Sequence, residues 1–337
     1  MSYDKNSDRL SATEIEDQLS SRALARAWLY PRRIQFQRKM RETATTYFAE
    51  MGYEVDNKYP FIVADWDDWP KNIIVPAVVD YIDEVRRRRE AASEGFALHK
   101  YIHHGLSSQA MLFNLIGPLI VRRDLDLLKA IFGRRELEWP DGDIGAILEF
   151  EKREIFNEDS GQPTSIDLVL TDEIDDPFVF IEFKFTEDGF GGCSLFAAGD
   201  CDGRNPAGDF NKCYLHHIGR RYWRLMEKHG FLDERINDER LCVMAQNYQF
   251  FRIVLFALEY ERPCVLLSDG RSPTFDSRGR DGKQARRGLM PLLLDYVPEG
   301  LRPGVKTVTV QEVVAAIRDS GRHSWVNEFE QKYGLDS

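Results

Sequence analysis

Three short runs near the middle of the chain alternate apolar and polar side chains, and the segments around them repeat with the longer period of a helix. "IGAILEFEKREIF" (Ile144 to Phe156), "SIDLVL" (Ser165 to Leu170) and "DPFVFIEFKFTE" (Asp176 to Glu187) send successive side chains to opposite faces, as strands do. Asp175-Asp176-Pro177 predicts a short turn that pairs the last two runs as a hairpin. Upstream, the pattern predicts a helix from Ile15 to about Met51, interrupted or restarted at Pro31 and stopped by Gly52. A second runs from Pro76 to Gly95, and a third is capped by Ser107 or Ser108 and kinked or split at Pro118. Downstream come a Gly-rich irregular stretch from Asp188 to Gly208 and helical periodicity in "DFNKCYLHHIGRRYWRLMEKHG". A long apolar helix around "NYQFFRIVLFALEY" follows, then a strand "CVLLSD" and a last helix "VQEVVAAIRDS". Helix, three strands, helix, strand is the order of a mixed α/β sheet flanked by helices. The expected division is a mainly helical N-terminal lobe over residues 1–97 and a core over 98–337, with a Cys/Gly-rich insertion at about 188–212.

Charge interrupts the third strand. Val179, Ile181, Phe183 and Phe185 share one face; Phe178, Phe180, Glu182 and Lys184 share the other. A face that begins with two phenylalanines is a covered one, and a glutamate and a lysine entering it are unfavourable unless paired, hydrated or used. In "SIDLVL", Ile166, Leu168 and Leu170 point one way, and Asp167 and Val169 the other. Antiparallel pairing then gathers Asp167, Glu182 and Lys184 at one end of the sheet. Two carboxylates with the Phe183 carbonyl between them suit Mg²⁺, which takes few protein ligands. A lysine beside them can orient or deprotonate a water and stabilise charge on a phosphate. Glu149 and Glu151 share a face of the first run, and either one can add a ligand or hold a water.

Composition narrows the class. A chain of 337 residues with 43% hydrophobic and 12% aromatic content can bury a full core. A net charge of −11 argues against nonspecific coating of nucleic acid but leaves room for a nuclease, because local charge sets the contact surface. Basic clusters stand at Arg22 to Arg41, at Arg86 to Arg89, in "GRRYWRLMEKHG" and in "SRGRDGKQARRG". The N-terminus has no apolar segment of the signal-peptide kind, and "AMLFNLIGPLIV" is too short to span a bilayer. Five cysteines make no disulfide scaffold, so a cytoplasmic protein with reduced thiols is expected. No P-loop, dinucleotide fingerprint, G-x-S-x-G or H-E-x-x-H motif occurs.

Asp167, then fourteen residues, then Glu182-Phe183-Lys184, in the element order above, resembles the PD-(D/E)XK nuclease superfamily with its restriction-endonuclease-like fold. "SSQAMLFN", "FEKREI", "SIDLVL", "FKFTEDGFG" and "NYQFFR" further resemble an uncharacterised bacterial group within it; the motifs span roughly Leu98 to Asp269. The resemblance implies a hydrolase dependent on Mg²⁺ or Mn²⁺ that cuts DNA, single-stranded or modified DNA included, in a restriction, repair or phage-defence setting. It leaves room for a homodimer. It implies that Asp167 and Glu182 bind the metal, that Glu151, matching the glutamate that precedes the triad in that group, is a further catalytic carboxylate and metal ligand, and that Lys184 assists the attacking water. Gln249-Phe250-Phe251-Arg252 is similar to the Q-x-x-R/Q-x-x-x-Y element that lies beside the triad and contacts it or the substrate, so Gln249 and Arg252 are site candidates, as are Gln109 and Asn114 from the first motif. Ser165-Ile166-Asp167 lacks the proline of the superfamily name.

Other features stay open. Arg220, Arg221 and Arg224 alternate with Tyr222 and Trp223, a pattern that grips phosphates and stacks bases or, equally, packs aromatics on a sheet with arginines in water. Cys193, Cys201 and Cys213, with Cys242 or a nearby histidine, are enough for an iron–sulfur cluster or zinc, but their spacing matches no compact motif, and unligated thiols are the preferred reading. The alternative to an enzyme is a non-catalytic nucleic-acid- or protein-binding module on the same fold. A sugar hydrolase with paired carboxylates fits the lysine and arginines less well.

Overall fold

The computed structural model describes residues 31–159, 163–276 and 288–335. The polar arm, the part of the first expected helix before Pro31, and all of the basic run "SRGRDGKQARRG" except Gly288 lie outside these residues.

The three alternating runs form β1 (Gly145–Glu151), β2 (Ser165–Thr171) and β3 (Pro177–Lys184), an antiparallel meander. β4 (Cys264–Ser268) and β5 (Val305–Thr309) continue the sheet in parallel, so the spatial order is β1-β2-β3-β4-β5. This is the mixed α/β sheet expected. β1 ends earlier than its alternation suggested: Arg153–Phe156 turns into one helical turn. β5 was not legible, because "VKTVT" is short and follows a Pro/Gly segment.

Seven longer helices flank the sheet: α1 (Pro31–Glu50), α2 (Pro76–Ala91), α3 (Ser108–Arg122), α4 (Tyr222–Lys228), α5 (Met244–Glu259), α6 (Val310–Ser320) and α7 (Trp325–Tyr333). Gly52 stops α1 with φ of 66°. Ser107 caps α3, its hydroxyl accepting from Ala110 N, and Pro118 stays within one continuous helix. The periodicity around "CYLHHIGRRYW" is broken into a short turn at Tyr214–His217 and then α4, because Gly219 takes φ of 91°. Thr309 and Glu312 form a capping box that starts α6 straight out of β5.

Each face of the sheet carries its own core. Leu168, Leu170, Ile181, Phe183, Val265 and Val308 pack under α1, α2, α3, α6 and α7. Ile166, Val169, Phe180 and Leu266 pack under α4 and α5. Side chains of the N-terminal helices, Phe36, Met40, Val78 and Ile82, therefore share a core with the central strands. Two strand-face expectations are corrected. Phe178 lies with the α3 side because the register shifts between Leu170 and Thr171, and Ile166 lies on the α5 side because the β1–β2 ladder is interrupted between it and Leu168.

Candidate active site

The site is built where the ladders on both sides of β2 break. β2 and β3 pair from Thr171↔Pro177 to Leu168↔Ile181 and no further. Two residues on, the Phe183 N–H donates instead to Asp167 Oδ2 at 2.8 Å. β1 and β2 pair to Leu148↔Leu168 and resume at Phe150↔Ile166, skipping Glu149 and Asp167. Glu149 has φ of 50°, a left-handed conformation that a glutamate adopts only when its surroundings hold it there. Arg89 supplies the hold: its guanidinium donates to the carbonyls of Leu148 (2.6 Å) and Glu149 (2.7 Å) and lies over Phe96. Arg89, one of the basic cluster at Arg86 to Arg89, thus braces an edge strand.

The kinked backbone brings Glu149 into the cavity beside Asp167. Gln109 donates to Glu149 Oε1 at 2.7 Å and Ser165 Oγ to Oε2 at 2.8 Å. Burial, then the charge of Asp167, raises the Glu149 carboxyl to about 7 against those two donors. Glu151 stands nearer the rim, half-buried, its carboxyl raised by burial and pulled back by Arg153 and Arg89.

Glu182 is 2% exposed and Lys184 5% exposed. Lys184 Nζ donates to Glu182 Oε1 at 2.6 Å and to Gln249 Oε1 at 2.8 Å. The other oxygen, Glu182 Oε2, is buried with no hydrogen-bond partner. Burial, then Asp167, holds the Glu182 carboxyl well above the usual range in spite of Lys184. Asp167 is raised too, chiefly by burial, with Lys184 and the Phe183 N–H opposing. Burial lowers Lys184, but the carboxylates of Glu182, Glu187 and Asp167 outweigh it and the net direction is up. One lysine among this many carboxylates leaves an excess of buried negative potential that favours a cation.

Two segments place the rest. In "GFGG", Gly191 has φ of 62° and a Cβ on Gly192 would stand 2.9 Å from the Ala245 carbonyl, so the loop lies flush against the start of α5. The Tyr248 and Gln249 N–H groups bond to the carbonyls of Gly191 and Phe190 rather than along the helix, and Asn247 is non-helical. The helix expected to be regular is therefore kinked at the point that aims Gln249 at Lys184. After β3, Arg33 and Gln37 of α1 both donate to the Thr186 carbonyl, at 3.3 and 3.0 Å, fixing the turn that carries Glu187.

Asp167, Lys184, Glu149, Glu151, Gln109, Gln249 and Arg252 all line one cavity of about 550 Å³, together with Glu187, Ser165, His99, Phe190 and Tyr248. Asn114 does not: it is buried between helices, donating to the Asn72 carbonyl and the Tyr333 hydroxyl. Arg220, Arg221 and Arg224 do not line it either. Arg220 and Arg221 donate to the carbonyls of Asn157 and Glu154, and Arg224 stands 3.6 Å from Glu227. Glu187 and Tyr248 were not singled out from sequence, although each lies inside a quoted motif, "FKFTEDGFG" and "NYQFFR". All five cysteines are free, and among the described residues no three His, Cys, Asp or Glu side chains form a ready metal cage. No described helix is long and apolar enough to cross a membrane.

No curated protein and no solved structure matches the chain. A family model described as "restriction endonuclease associating with ARP" matches residues 33–334, reaching well beyond the motif segment on both sides. With a five-stranded mixed sheet, and carboxylates and a lysine converging where the ladders around β2 break, the chain belongs to this restriction-endonuclease family.

Proposed function

We propose that this protein is a metal-dependent nuclease of the PD-(D/E)XK type that hydrolyses phosphodiester bonds in DNA. The observation that carries the reading is the orphaned, buried Glu182 Oε2, which does not itself line the cavity but lies behind its wall with Asp167 and Lys184, where the lining acids outnumber the cations. Hard oxygen donors with an unmet need for positive charge suit Mg²⁺ or Mn²⁺ and do not suit a soft, thiolate-seeking metal. Asp167 and Glu182 would hold the ion, with Glu149 or Glu151 beside them. When bound, it supplies Lewis-acid stabilisation of a phosphoryl group and offsets the carboxylate charge.

The chain's own residues do the remainder. Lys184, fixed by Glu182 and Gln249, presents a positive charge that orients the attacking water and stabilises charge developing on the phosphate. Gln109 and Ser165 keep Glu149 turned toward Asp167.

The test is cleavage of supercoiled plasmid and of labelled single-stranded DNA by wild type and by Asp167→Asn, purified identically. Wild type is expected to cut with Mg²⁺ or Mn²⁺ and not in EDTA, and the variant to lose activity. A folded wild type that cuts neither substrate, or a variant that cuts equally well, overturns the reading. Arg89→Ala is expected to lower turnover by on the order of 10²-fold without unfolding the protein, because it misplaces Glu149 rather than removing it. Unchanged turnover would show that the brace on β1 is not needed.

A further inference from the structure

We propose that Glu158 is a positioning residue that presets Arg252 to grip a phosphate of the nucleic-acid substrate, an inference that rests on the nuclease reading above. Glu158 is 2% exposed and follows the single helical turn after β1. Four donors from three other parts of the chain converge on it. Its Oε2 accepts from Thr164 N at 2.6 Å. Its Oε1 accepts from the Tyr222 hydroxyl at 2.5 Å, the Thr164 hydroxyl at 2.9 Å and Arg252 Nη2 at 3.1 Å. The Thr164 hydroxyl relays the clamp, accepting from Arg252 Nε at 2.7 Å while it donates to Glu158.

The guanidinium is fixed in two further directions. It lies 4.7 Å from the centre of the Tyr248 ring and 5.9 Å from that of Tyr222. Its side chain is 16% exposed against 3% for Glu158, and Arg252 but not Glu158 lines the cavity with Asp167 and Lys184. The hydrogen bonds of the clamp use Nε and Nη2, so the Nη1 donors take no part in it. A guanidinium whose plane is already set loses little freedom on binding a planar array of phosphate oxygens. A buried ion pair adds little stability for its own sake, so a carboxylate this fully satisfied and attached to a cavity-lining arginine is better explained by aim. The sequence motif reaches Arg252; nothing in it points to Glu158.

The test compares wild type, Glu158→Gln, Tyr222→Phe, Arg252→Ala and the Glu158→Gln/Arg252→Ala double variant. Binding of a labelled single strand is read by anisotropy in EDTA over a range of salt, and cleavage is read with Mg²⁺. Glu158→Gln is expected to weaken binding about tenfold and flatten the slope of log Kd against log salt by about one, as Arg252→Ala does. The double variant should be no worse than Arg252→Ala, and Tyr222→Phe should fall between wild type and Glu158→Gln. If Glu158→Gln fails to fold, Tyr222→Phe decides, since it removes one hydroxyl from a side chain outside the cavity. Wild-type binding and salt slope in Glu158→Gln or, should that not fold, in Tyr222→Phe, or full additivity in the double variant, sinks this proposal alone. A folded wild type that neither binds nor cuts DNA sinks the nuclease reading and this proposal with it.

Discussion

Lys184→Ala is expected to lower DNA cleavage by on the order of 10³-fold while substrate binding in EDTA changes little. The lysine contributes in two ways that the substitution removes together. It supplies the cavity's innermost positive charge, and it ties Glu182 to Gln249 across the gap between β3 and α5. The variant will also lose stability, because it strands a carboxylate that is 2% exposed. Breaking a buried pair from one side costs about 3–5 kcal/mol where the remaining charge has no escape. Burial and Asp167 already push the Glu182 carboxyl up against the opposing lysine, and the substitution removes that opposition. A loss within or below that range is expected. The Glu182→Gln/Lys184→Met double variant separates the two effects: it leaves no unpaired charge, and should melt near wild type while remaining inactive. Circular dichroism melts with plasmid-cleavage rates provide the measurement. A Lys184→Ala protein that cuts within tenfold of wild type would remove Lys184 from the chemistry.

How much of this was legible depends on the residue. Asp167, Glu182 and Lys184 were, because alternation in a strand fixes which side chains share a face, and a charge on an apolar face stands out without any structure. Gln249 and Gln109 were reached only through motif resemblance. Glu149 was visible as one of two glutamates; alternation could not choose between them, and the motif resemblance chose Glu151, which lines the same cavity nearer its rim. A left-handed residue held by Arg89 puts Glu149 against Asp167, and that brace comes from a helix about sixty residues upstream. The Arg89 run and Arg220, Arg221 and Arg224 look alike in sequence, yet one reaches strand carbonyls beside the cavity and the others lie away from it. The kink at Asn247 was hidden because its cause, the carbonyls of Phe190 and Gly191, lies on another segment. Asn114 failed as a site candidate for the opposite reason: polarity inside an apolar helix marks a buried hydrogen-bond junction as readily as a site.

That junction carries the second large effect. Lys332 is 2% exposed, donates to the Asn72 carbonyl and lies near the rings of Tyr47, Phe48 and Tyr333 at 5.2, 5.9 and 5.7 Å. It makes no ion pair among the described residues: Glu328, the carboxylate that favours its charge, already accepts from the Tyr47 hydroxyl at 2.7 Å. Burial brings the Lys332 ammonium down from the ordinary 10.5 to about 7, with Glu328 opposing only weakly. The sign follows from which state binds the proton. Between pH 10.5 and 7 the unfolded chain holds a proton on this lysine that the folded chain does not, so the native state loses stability as pH falls across that window; below 7 both states are protonated and the penalty is constant. Lys332→Met keeps the volume and removes the titration, and the Asn72 carbonyl still accepts from Asn114. The variant is expected to be more stable than wild type by on the order of 2–4 kcal/mol near pH 7, with the gain shrinking steadily toward pH 10. Thermal melts of both proteins at half-unit steps from pH 6.5 to 10 measure it. Parallel curves would mean that Lys332 stays charged in the folded protein, held by the three rings and the Asn72 carbonyl, and that this lysine is a cation–π anchor rather than a buried neutral amine.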